Sequence, residues 1–311
     1  MGVDVGGTRI RAGAVTVEGR LFSQTEAPTD AARGPAAVLE TLQQVIRRLA
    51  EPIDVLASIG IASTGQIHPE TGAIVAAPNL GWRDVRLATT LAAKFGVPVT
   101  VENDVRAAAW GEFRFGGHRA RSLLAVFVGT GVGSGAVLDG TLWTGSSNGA
   151  GELGHTRVVP DGLACPCGGH GCLEQYASSS GFKRRLRAAL AASTPTALRE
   201  ATGEDPDALT ADMVAAAANT GDALARALWT DARRYLTLAV ANYVTLLNPE
   251  TLVLGGGVLD NVPELFDEIT GGVMAATTIL ARDGLRIERT RLGEWAGVLG
   301  AAALAAQPAR S

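Results

Sequence analysis

Three cysteines, Cys165, Cys167 and Cys172, stand within eight positions, and the 311-residue chain has no others. Disulfide frameworks join distant segments, whereas thiolates at this spacing suit a structural zinc ion that needs four ligands. The fourth ligand would be a histidine, and His155 and His170 are both available. We favour His155, because it would tie the loop to the body of its domain. His170 lies inside the tight loop between two of the cysteines.

Two glutamates flank this cysteine cluster. Glu152 lies three residues before His155, so the two side chains share one face if the segment is helical. Glu174 follows the last cysteine, and a zinc-bound imidazole keeps its second ring nitrogen for an outward hydrogen bond. Glu152, His155 and Glu174 could therefore form a polar wall that faces a polyol. The alternative is a purely structural zinc knot with its glutamates in water. A zinc ion with four protein ligands has no open position for Lewis-acid chemistry.

The predicted strand "VPVTVEND" ends in polar and acidic residues. Asn103 and Asp104 stand at its carboxyl end, where α/β sheets expose binding groups. In a kinase, Asp104 could accept the proton of the hydroxyl that takes the phosphoryl group. An Asn-Asp pair ahead of a helix is also a good N-cap, so both interpretations stay open.

Glycine clusters follow three predicted strands. Glycine there lets backbone N–H groups approach an anion, although any one cluster could be only a tight turn. A P-loop motif is absent, and the G-x-G-x-x-A match at 131–136 continues as strand, which argues against a Rossmann site. Phosphate loops inside hairpins fit the actin and hexokinase type of ATPase. Asp4 would then hold Mg²⁺ through water, or else only stabilise its turn. We name the clusters the first loop (Gly6, Gly7, Thr8, Arg9), the second loop (Gly129, Thr130, Gly131, Gly133) and the third loop (Gly255, Gly256, Gly257).

The elements that must position these residues occur twice. Residues 2–23 and 123–143 each follow the plan of strand, glycine turn, strand, Glu-Gly or Asp-Gly turn, and strand. This duplication predicts two similar α/β domains around a cleft. We expect a small domain over 1–117, completed by a small-residue C-terminal helix (297–311) that packs back on it. A large domain over 118–296 would carry the zinc loop. The spacing also predicts helices at 35–49, 87–95, 105–115 and 223–247, and a surface excursion over 193–212.

Composition excludes several classes of protein. Hydrophobic residues make up 47% of the chain, enough for one large or two ordinary domains. A formal net charge of −4 offers no basic patch for a nucleic-acid partner. The first residues have no signal-peptide pattern, and the apolar stretch Leu236–Leu247 is too short to cross a bilayer. The clustered cysteines favour a reducing cytoplasm.

Together these residues resemble the ROK family of sugar kinases and related repressors, closest to its bacterial glucokinases. The resemblance covers nearly the whole chain. It is carried by DVGGT (4–8), VENDVRAAAWGEF (101–113), GTGVGSG (129–135), GELGH (151–155), CPCGGHGCLEQYAS (165–178) and LGGGV (254–258). It implies an actin-like ATPase (ribonuclease H-like) duplicated fold with the active site between two domains. It also implies ATP-dependent phosphorylation of the 6-hydroxyl of glucose, and a homodimer or homotetramer.

The resemblance also implies roles for individual residues. Asp104 would be the general base. Zinc would be held by His155, Cys165, Cys167 and Cys172, and the three glycine loops and Asp4 would hold ATP and Mg²⁺. The hexose would be bound by Asn79, Asn103, Asp104, Glu152, His155 and Glu174.

Two alternatives remain at this stage. The segment GIASTGQIHPETG (60–72) has the character of kinases for N-acetylmannosamine, and N-acetylglucosamine is a related candidate substrate. A non-catalytic sugar sensor or repressor is the other alternative. It is disfavoured because such repressors carry an N-terminal helix-turn-helix and this chain begins at the first loop. The phosphoryl donor could be ATP or polyphosphate. Only two residues, Gly2 and Val3, form the first strand before Asp4, which suggests a shortened start.

Overall fold

The computed structural model describes residues 1–307. The chain divides into two compact units. The first comprises residues 1–123, 135–151 and the described residues from Arg291 onward; the second comprises 124–134 and 152–290. The domain limits predicted from the sequence, 1–117 and 118–296, remain a proposal. Positions 308–311 of the predicted C-terminal helix lie outside the described residues.

The first sheet is a meander followed by parallel strands. Its order is β3-β2-β1-β4-β8, with β1, β2 and β3 antiparallel and with β4 and β8 parallel to β1. A second, three-stranded sheet has the order β5-β6-β7. The elements up to residue 115 are β1 (Gly2–Val5), β2 (Arg9–Val15), β3 (Leu21–Pro28), α1 (Pro35–Ala50), β4 (Ile59–Ser63), β5 (Gln66–Ile67), β6 (Ile74–Ala77), β7 (Trp82–Val85), α2 (Leu87–Phe95), β8 (Val99–Asn103) and α3 (Asp104–Phe115).

The second five-stranded sheet repeats this plan, with the order β11-β10-β9-β12-β13. Here too a hairpin (β10 and β11) precedes a parallel pair (β12 and β13). This duplicated arrangement is the actin-like ATPase fold, as predicted. The remaining elements are β9 (Leu123–Val128), β10 (Val132–Leu138), β11 (Thr141–Trp143), α4 (Glu174–Ala177), α5 (Ser179–Ala191), α6 (Leu198–Ala201), α7 (Ala211–Asn219), α8 (Ala223–Leu247), β12 (Thr251–Gly255), α9 (Gly257–Asn261), α10 (Pro263–Ala276), α11 (Ile279–Arg282), β13 (Arg286–Arg289) and α12 (Ala296–Ala305).

The core of the first unit lies between its sheet and the helices that cover it. Val3, Val5 and Ile10 on the strands are buried together with Leu42 and Ile46 of α1. Helix α12 packs on α3, β1 and β4. A Cβ atom at Gly60 would meet the carbonyl of Ala301, and one at Gly300 would meet the carbonyl of Ala107. The small residues of α12 therefore allow the helix backbone to approach β4 and α3 closely.

Two local features differ from the predictions. The strands of the β5-β6-β7 sheet have only two to four residues each, too few to show a clear alternation of polar and apolar positions. The segment 193–212 is more ordered than a surface excursion, because it contains α6 and buries Leu198 and Leu209. Among the described residues, none of the helices has both the length and the apolar character needed to span a bilayer.

Candidate active site

The register of the first sheet brings Asp4 and Asn103 to the same edge. Val5 pairs with Ser63, and Ser63 pairs with Asn103, in a run of parallel strands. Because the strands are parallel, their carboxyl ends meet at one edge of the sheet. Asp4, one residue before the end of β1, and Asp104, one residue after the end of β8, consequently lie close enough for their charges to interact.

Asn103 is the N-cap of α3. Its Oδ1 accepts hydrogen bonds from the backbone N–H groups of Val105 and Arg106, both at 3.1 Å. Asp104 is the first residue of the helix, and its Oδ1 accepts from its neighbour's N–H at 2.9 Å. The structural interpretation of the Asn-Asp pair therefore applies to Asn103. Its Oδ1 is occupied by the helix, while Nδ2 lies 3.5 Å from the carbonyl of Gly65.

Asp4 lies in a place that disfavours a bare carboxylate. Burial, together with the negative charge of Asp104, raises the pKa of the Asp4 carboxyl to about 7, although the Arg11 guanidinium acts in the opposite direction. Arg11 stands directly opposite Asp4 on β2. A bound cation would relieve the repulsion between the two carboxylates, so this pair fits a hard divalent ion such as Mg²⁺.

The first loop is fixed by hydrogen bonds from its own turn and from Thr29. The N–H of Gly6 donates to the carbonyl of Arg9 at 3.0 Å, and Thr29 Oγ1 donates to the carbonyl of Gly6 at 2.7 Å. Thr29 is fully buried and was not singled out in the sequence. Asn79 lies beside this loop in a 3₁₀ turn, with its Cβ in van der Waals range of a Cβ built on Gly7. The structure thus places Asn79 next to the first loop.

The second unit brings the other two loops together. Gly256 has a φ of 95°, and a Cβ there would meet the backbone of Val128. A Cβ on Gly129 would come within 3.9 Å of the N–H of Gly257. The second loop is also held by α5, because the N–H of Ser179 donates to the carbonyl of Gly129 at 2.9 Å. The close approach and the positive φ explain why glycine stands at position 256, whereas the contact at Gly129 is an ordinary van der Waals distance.

Glu174 binds the second loop directly. Its Oε2 accepts a hydrogen bond from the N–H of Val132 at 3.1 Å, and a Cβ on Gly131 would collide with that same oxygen. The other carboxylate oxygen has no partner among residues 1–307. Glu174 therefore retains one acceptor for a ligand.

His155 and the three cysteines form one cluster. Their ligand atoms all lie within 4.8 Å of one another, and His170 is not among them. Cys167 Sγ and Cys172 Sγ are 3.7 Å apart, and so are Cys165 Sγ and His155 Nδ1. Tetrahedral zinc with bonds of about 2.0–2.3 Å separates its ligand atoms by roughly 3.5–3.8 Å. The donor set and its spacing fit zinc.

Backbone pairing shapes the cluster. The N–H of Cys165 donates to the carbonyl of Gly169 at 2.8 Å, so the cysteine loop folds as a small hairpin. His155 ends a 3₁₀ turn that begins at Leu153, and a Cβ on Gly154 in its middle would collide with the carbonyl of Val132. With Nδ1 turned to the thiols, His155 Nε2 lies 4.0 Å from Glu152 Oε2. Both side chains are partly exposed, as a polar wall requires.

Arg106 is a buried residue that the sequence analysis did not identify. Its Nε and Nη2 donate to Glu102 Oε1 at 2.9 and 2.6 Å, and its Nη1 donates to the carbonyl of Ala150 at 2.9 Å. Glu102 Oε1 also accepts from the N–H of Asn103 at 2.7 Å. The Glu102–Arg106 pair therefore stabilises the turn from β8 into α3. An arginine four residues after a glutamate at a strand end was the available signal.

The sequence matches the ROK family over residues 1–308. The chain belongs to the ROK family. It is 36% identical to a glucokinase of Halalkalibacterium halodurans over 321 aligned positions, which cover 100% of this chain and 96% of that protein. A glucokinase of Streptomyces coelicolor is 32% identical over 320 positions, covering 99% and 98%.

A solved structure of a ROK family glucokinase from Streptomyces griseus, in complex with glucose and AMPPNP, is also similar. It superposes with a TM-score of 0.81 at 33% identity and covers 99% of each chain. The similarity of this ROK protein to known kinases thus extends from end to end.

Proposed function

We propose that this protein is an ATP-dependent hexose kinase that phosphorylates the 6-hydroxyl of glucose. The supporting observation is the closeness of Asp4 and Asp104 in the first unit, where their charges interact. Phosphoryl transfer needs a group that takes the acceptor's proton close to the cation that neutralises the phosphates. The full-length similarity to glucokinases and to a complex with glucose and AMPPNP supports glucose as acceptor and ATP as donor.

In this proposal Asp104 accepts the proton of the 6-hydroxyl while that oxygen forms a bond to the γ-phosphorus of ATP. The bond between the γ-phosphorus and the β,γ-bridging oxygen breaks, which yields glucose 6-phosphate and ADP. Mg²⁺, held by Asp4 through water, would neutralise phosphate charge. The glycine loops would offer backbone N–H groups to the phosphates, because no side chain blocks the approach.

We assign the sugar to the polar groups that the sequence predicts. Asn103, Glu152, His155 and Glu174 would bind its hydroxyls, with Asn79 at the margin. Glu174 has a free carboxylate oxygen, and the proposed metal leaves His155 Nε2 available as a donor. The zinc would have a structural role, since four protein ligands fill its coordination shell.

Activity tests the proposal directly. The purified protein would be assayed with glucose, mannose, N-acetylglucosamine and N-acetylmannosamine, each with ATP and with polyphosphate as donor. We expect the highest kcat/KM with glucose and ATP, and a product that a glucose-6-phosphate dehydrogenase oxidises. Protein carrying Asp104→Asn is the control for contaminating kinases. Absence of glucose turnover, or preference for an N-acetylated sugar, would reject the assignment.

The metal, location and assembly are tested separately. Metal analysis should find one zinc per chain, and Cys172→Ser should lose it. Magnesium should be required for turnover and manganese should replace it partly. We place the protein in the cytoplasm because free thiols persist in reducing compartments. We expect a homodimer or homotetramer, which sedimentation analysis would distinguish from a monomer.

A further inference from the structure

Gln175 contacts the cysteine–histidine cluster although it is not one of the four ligand residues. Its side chain is buried, and its Nε2 donates to Cys165 Sγ at 3.3 Å. Its backbone N–H donates to the carbonyl of Cys172 at 3.0 Å. One residue of α4 therefore touches two of the three cysteines.

Arg184 fixes the direction in which this amide points. Arg184 Nε donates to Gln175 Oε1 at 2.9 Å. A guanidinium has only donors, so the amide atom that faces it must be the oxygen, and the NH₂ group must face the sulfur. Arg184 Nη2 is buried without a hydrogen-bond partner, and within residues 1–307 no carboxylate forms an ion pair with Arg184. Its positive charge is thus not neutralised locally.

We propose that Gln175, oriented by Arg184, is a positioning residue of the metal centre. Through the hydrogen bond from its Nε2 it holds the Cys165 sulfur in place as a ligand. Three thiolates and a neutral imidazole around Zn²⁺ carry one net negative charge. An N–H donated to sulfur stabilises that charge, and the amide transmits the field of the Arg184 guanidinium to it. This inference rests on the metal centre described under the proposed function.

The same short helix connects the cluster to the sugar ligands. Glu174 precedes Gln175 on α4 and accepts from Val132 of the second loop. Ser178 closes the helix, with Oγ donating to the carbonyl of Glu174 at 2.7 Å. Because α4 has only four residues, a shift of Gln175 moves Glu174 as well. Loss of the contact with Cys165 should therefore raise the KM for glucose more than it changes kcat.

The decisive variant is Gln175→Glu. A carboxylate keeps the size of the side chain and can still accept from Arg184, but it has no N–H to give to Cys165. Zinc release would be followed with a colorimetric chelator, and the cobalt-substituted proteins would be compared by absorption spectroscopy. Arg184→Met is the second variant. Ser178→Ala is the matched control, because it loosens the same segment without touching a thiol.

We expect Gln175→Glu to weaken zinc binding by about 10–100-fold. We also expect it to move the sulfur-to-cobalt charge-transfer band to longer wavelength. Arg184→Met should act in the same direction by a smaller factor, and the double variant should equal Gln175→Glu alone. If Gln175→Glu does not fold, the same two measurements on Arg184→Met decide the matter. Unchanged zinc affinity and an unchanged cobalt band would overturn the proposal.

Failure of the metal centre gives a different result. Wild-type protein that binds neither zinc nor cobalt would reject the metal itself. Wild-type protein that binds both, with variants indistinguishable from it or from Ser178→Ala, would reject only the role of Gln175.

Discussion

Glu112 Oε2 lies 2.8 Å from His118 Nε2, and neither side chain reaches solvent. The same carboxylate accepts hydrogen bonds from the N–H groups of Arg291 and Leu292, at 2.9 and 3.0 Å. Glu112 thereby ties α3 to the segment that leads into α12. The buried carboxylate thus pairs with the His118 ring and with two backbone N–H groups that lie far from it in sequence.

Glu112→Gln should lower the free energy of unfolding by about 3–5 kcal/mol, because an amide offers one acceptor oxygen where the carboxylate offers two and adds a donor facing other donors. Glu26→Gln is the control, since Glu26 is half-exposed and its ion pairs lie at the surface. Such pairs contribute less than about 1 kcal/mol. Denaturant unfolding would measure both, and equal losses would contradict a special role for Glu112.

Asp104→Asn should reduce kcat by about 10²–10⁴-fold and leave the KM for glucose and the melting temperature near wild type. The amide can still pair with the N–H of Val105, so the helix start survives. Asp139→Asn, at an exposed pair with Arg121, is the matched control and should be fully active. Near-normal turnover by Asp104→Asn would remove it as the general base.

Asp4 should make the metal-free protein less stable as the pH rises. Its folded pKa of about 7 lies above the ordinary value of 3.8, so the folded state binds more protons between these values. The contribution of Asp4 to stability is complete below the unfolded pKa and is lost as the pH rises through about 7. In EDTA, Asp4→Asn should therefore melt higher than wild type at about pH 8 and show a smaller advantage at about pH 5.

The catalytic activity of Asp4→Asn should change in the opposite direction to its stability. Asp4→Asn should lose magnesium-dependent turnover while gaining stability in EDTA. A melting-temperature difference that is the same at both pH values would contradict the shifted pKa.

Arg106→Lys should lower stability by about 1–3 kcal/mol, because an ammonium cannot keep both the Glu102 and the Ala150 contacts. The KM for glucose should also rise, since Glu102 anchors the N–H of Asn103. Arg121→Lys, an exposed arginine, is the comparison and should be silent. Thermal melting and steady-state kinetics would be measured side by side. Unchanged stability and an unchanged KM in Arg106→Lys would show that a positive charge at position 106 is enough, without the hydrogen bonds of the guanidinium.

Gly300→Ala should prevent folding or lower the melting temperature strongly, because the added methyl would meet the carbonyl of Ala107 in α3. Gly271→Ala on α10 is the matched control, since nothing lies within 4 Å of a Cβ there. Alanine in an open helical position stabilises by about 0.5–1 kcal/mol, so the two substitutions should have opposite signs. Soluble yield and melting temperature would be measured for both variants to test these opposite effects.

The cysteine cluster and the glycine loops could be predicted because their signals are local. Thiols are rare in this chain, and their spacing alone limits what they can bind. The sequence favoured His155 over His170 only because His155 would tie the loop to the body of its domain. The structure places His155 with the thiols. The hairpins followed from alternation and turn residues within about twenty positions.

Partners far apart in sequence could not be predicted. Glu112 and Arg291 have no shared pattern, and their contact depends on how α12 packs on α3. From the sequence, Gln175 could face either solvent or the core, because a single polar residue in a short helix gives no periodic pattern of polar and apolar positions. Thr29 is similar: only the fold shows that its hydroxyl supports Gly6.

The return of α12 to the first unit sets an order of events during synthesis. β1 and β4 are synthesised well before α12, the helix that covers them. Until Ala296–Ala305 emerges, the bare backbone at Gly2 and Gly60 stays open to other chains. The packing of these strands is therefore completed by a segment that lies far from them in the sequence and is synthesised well after them.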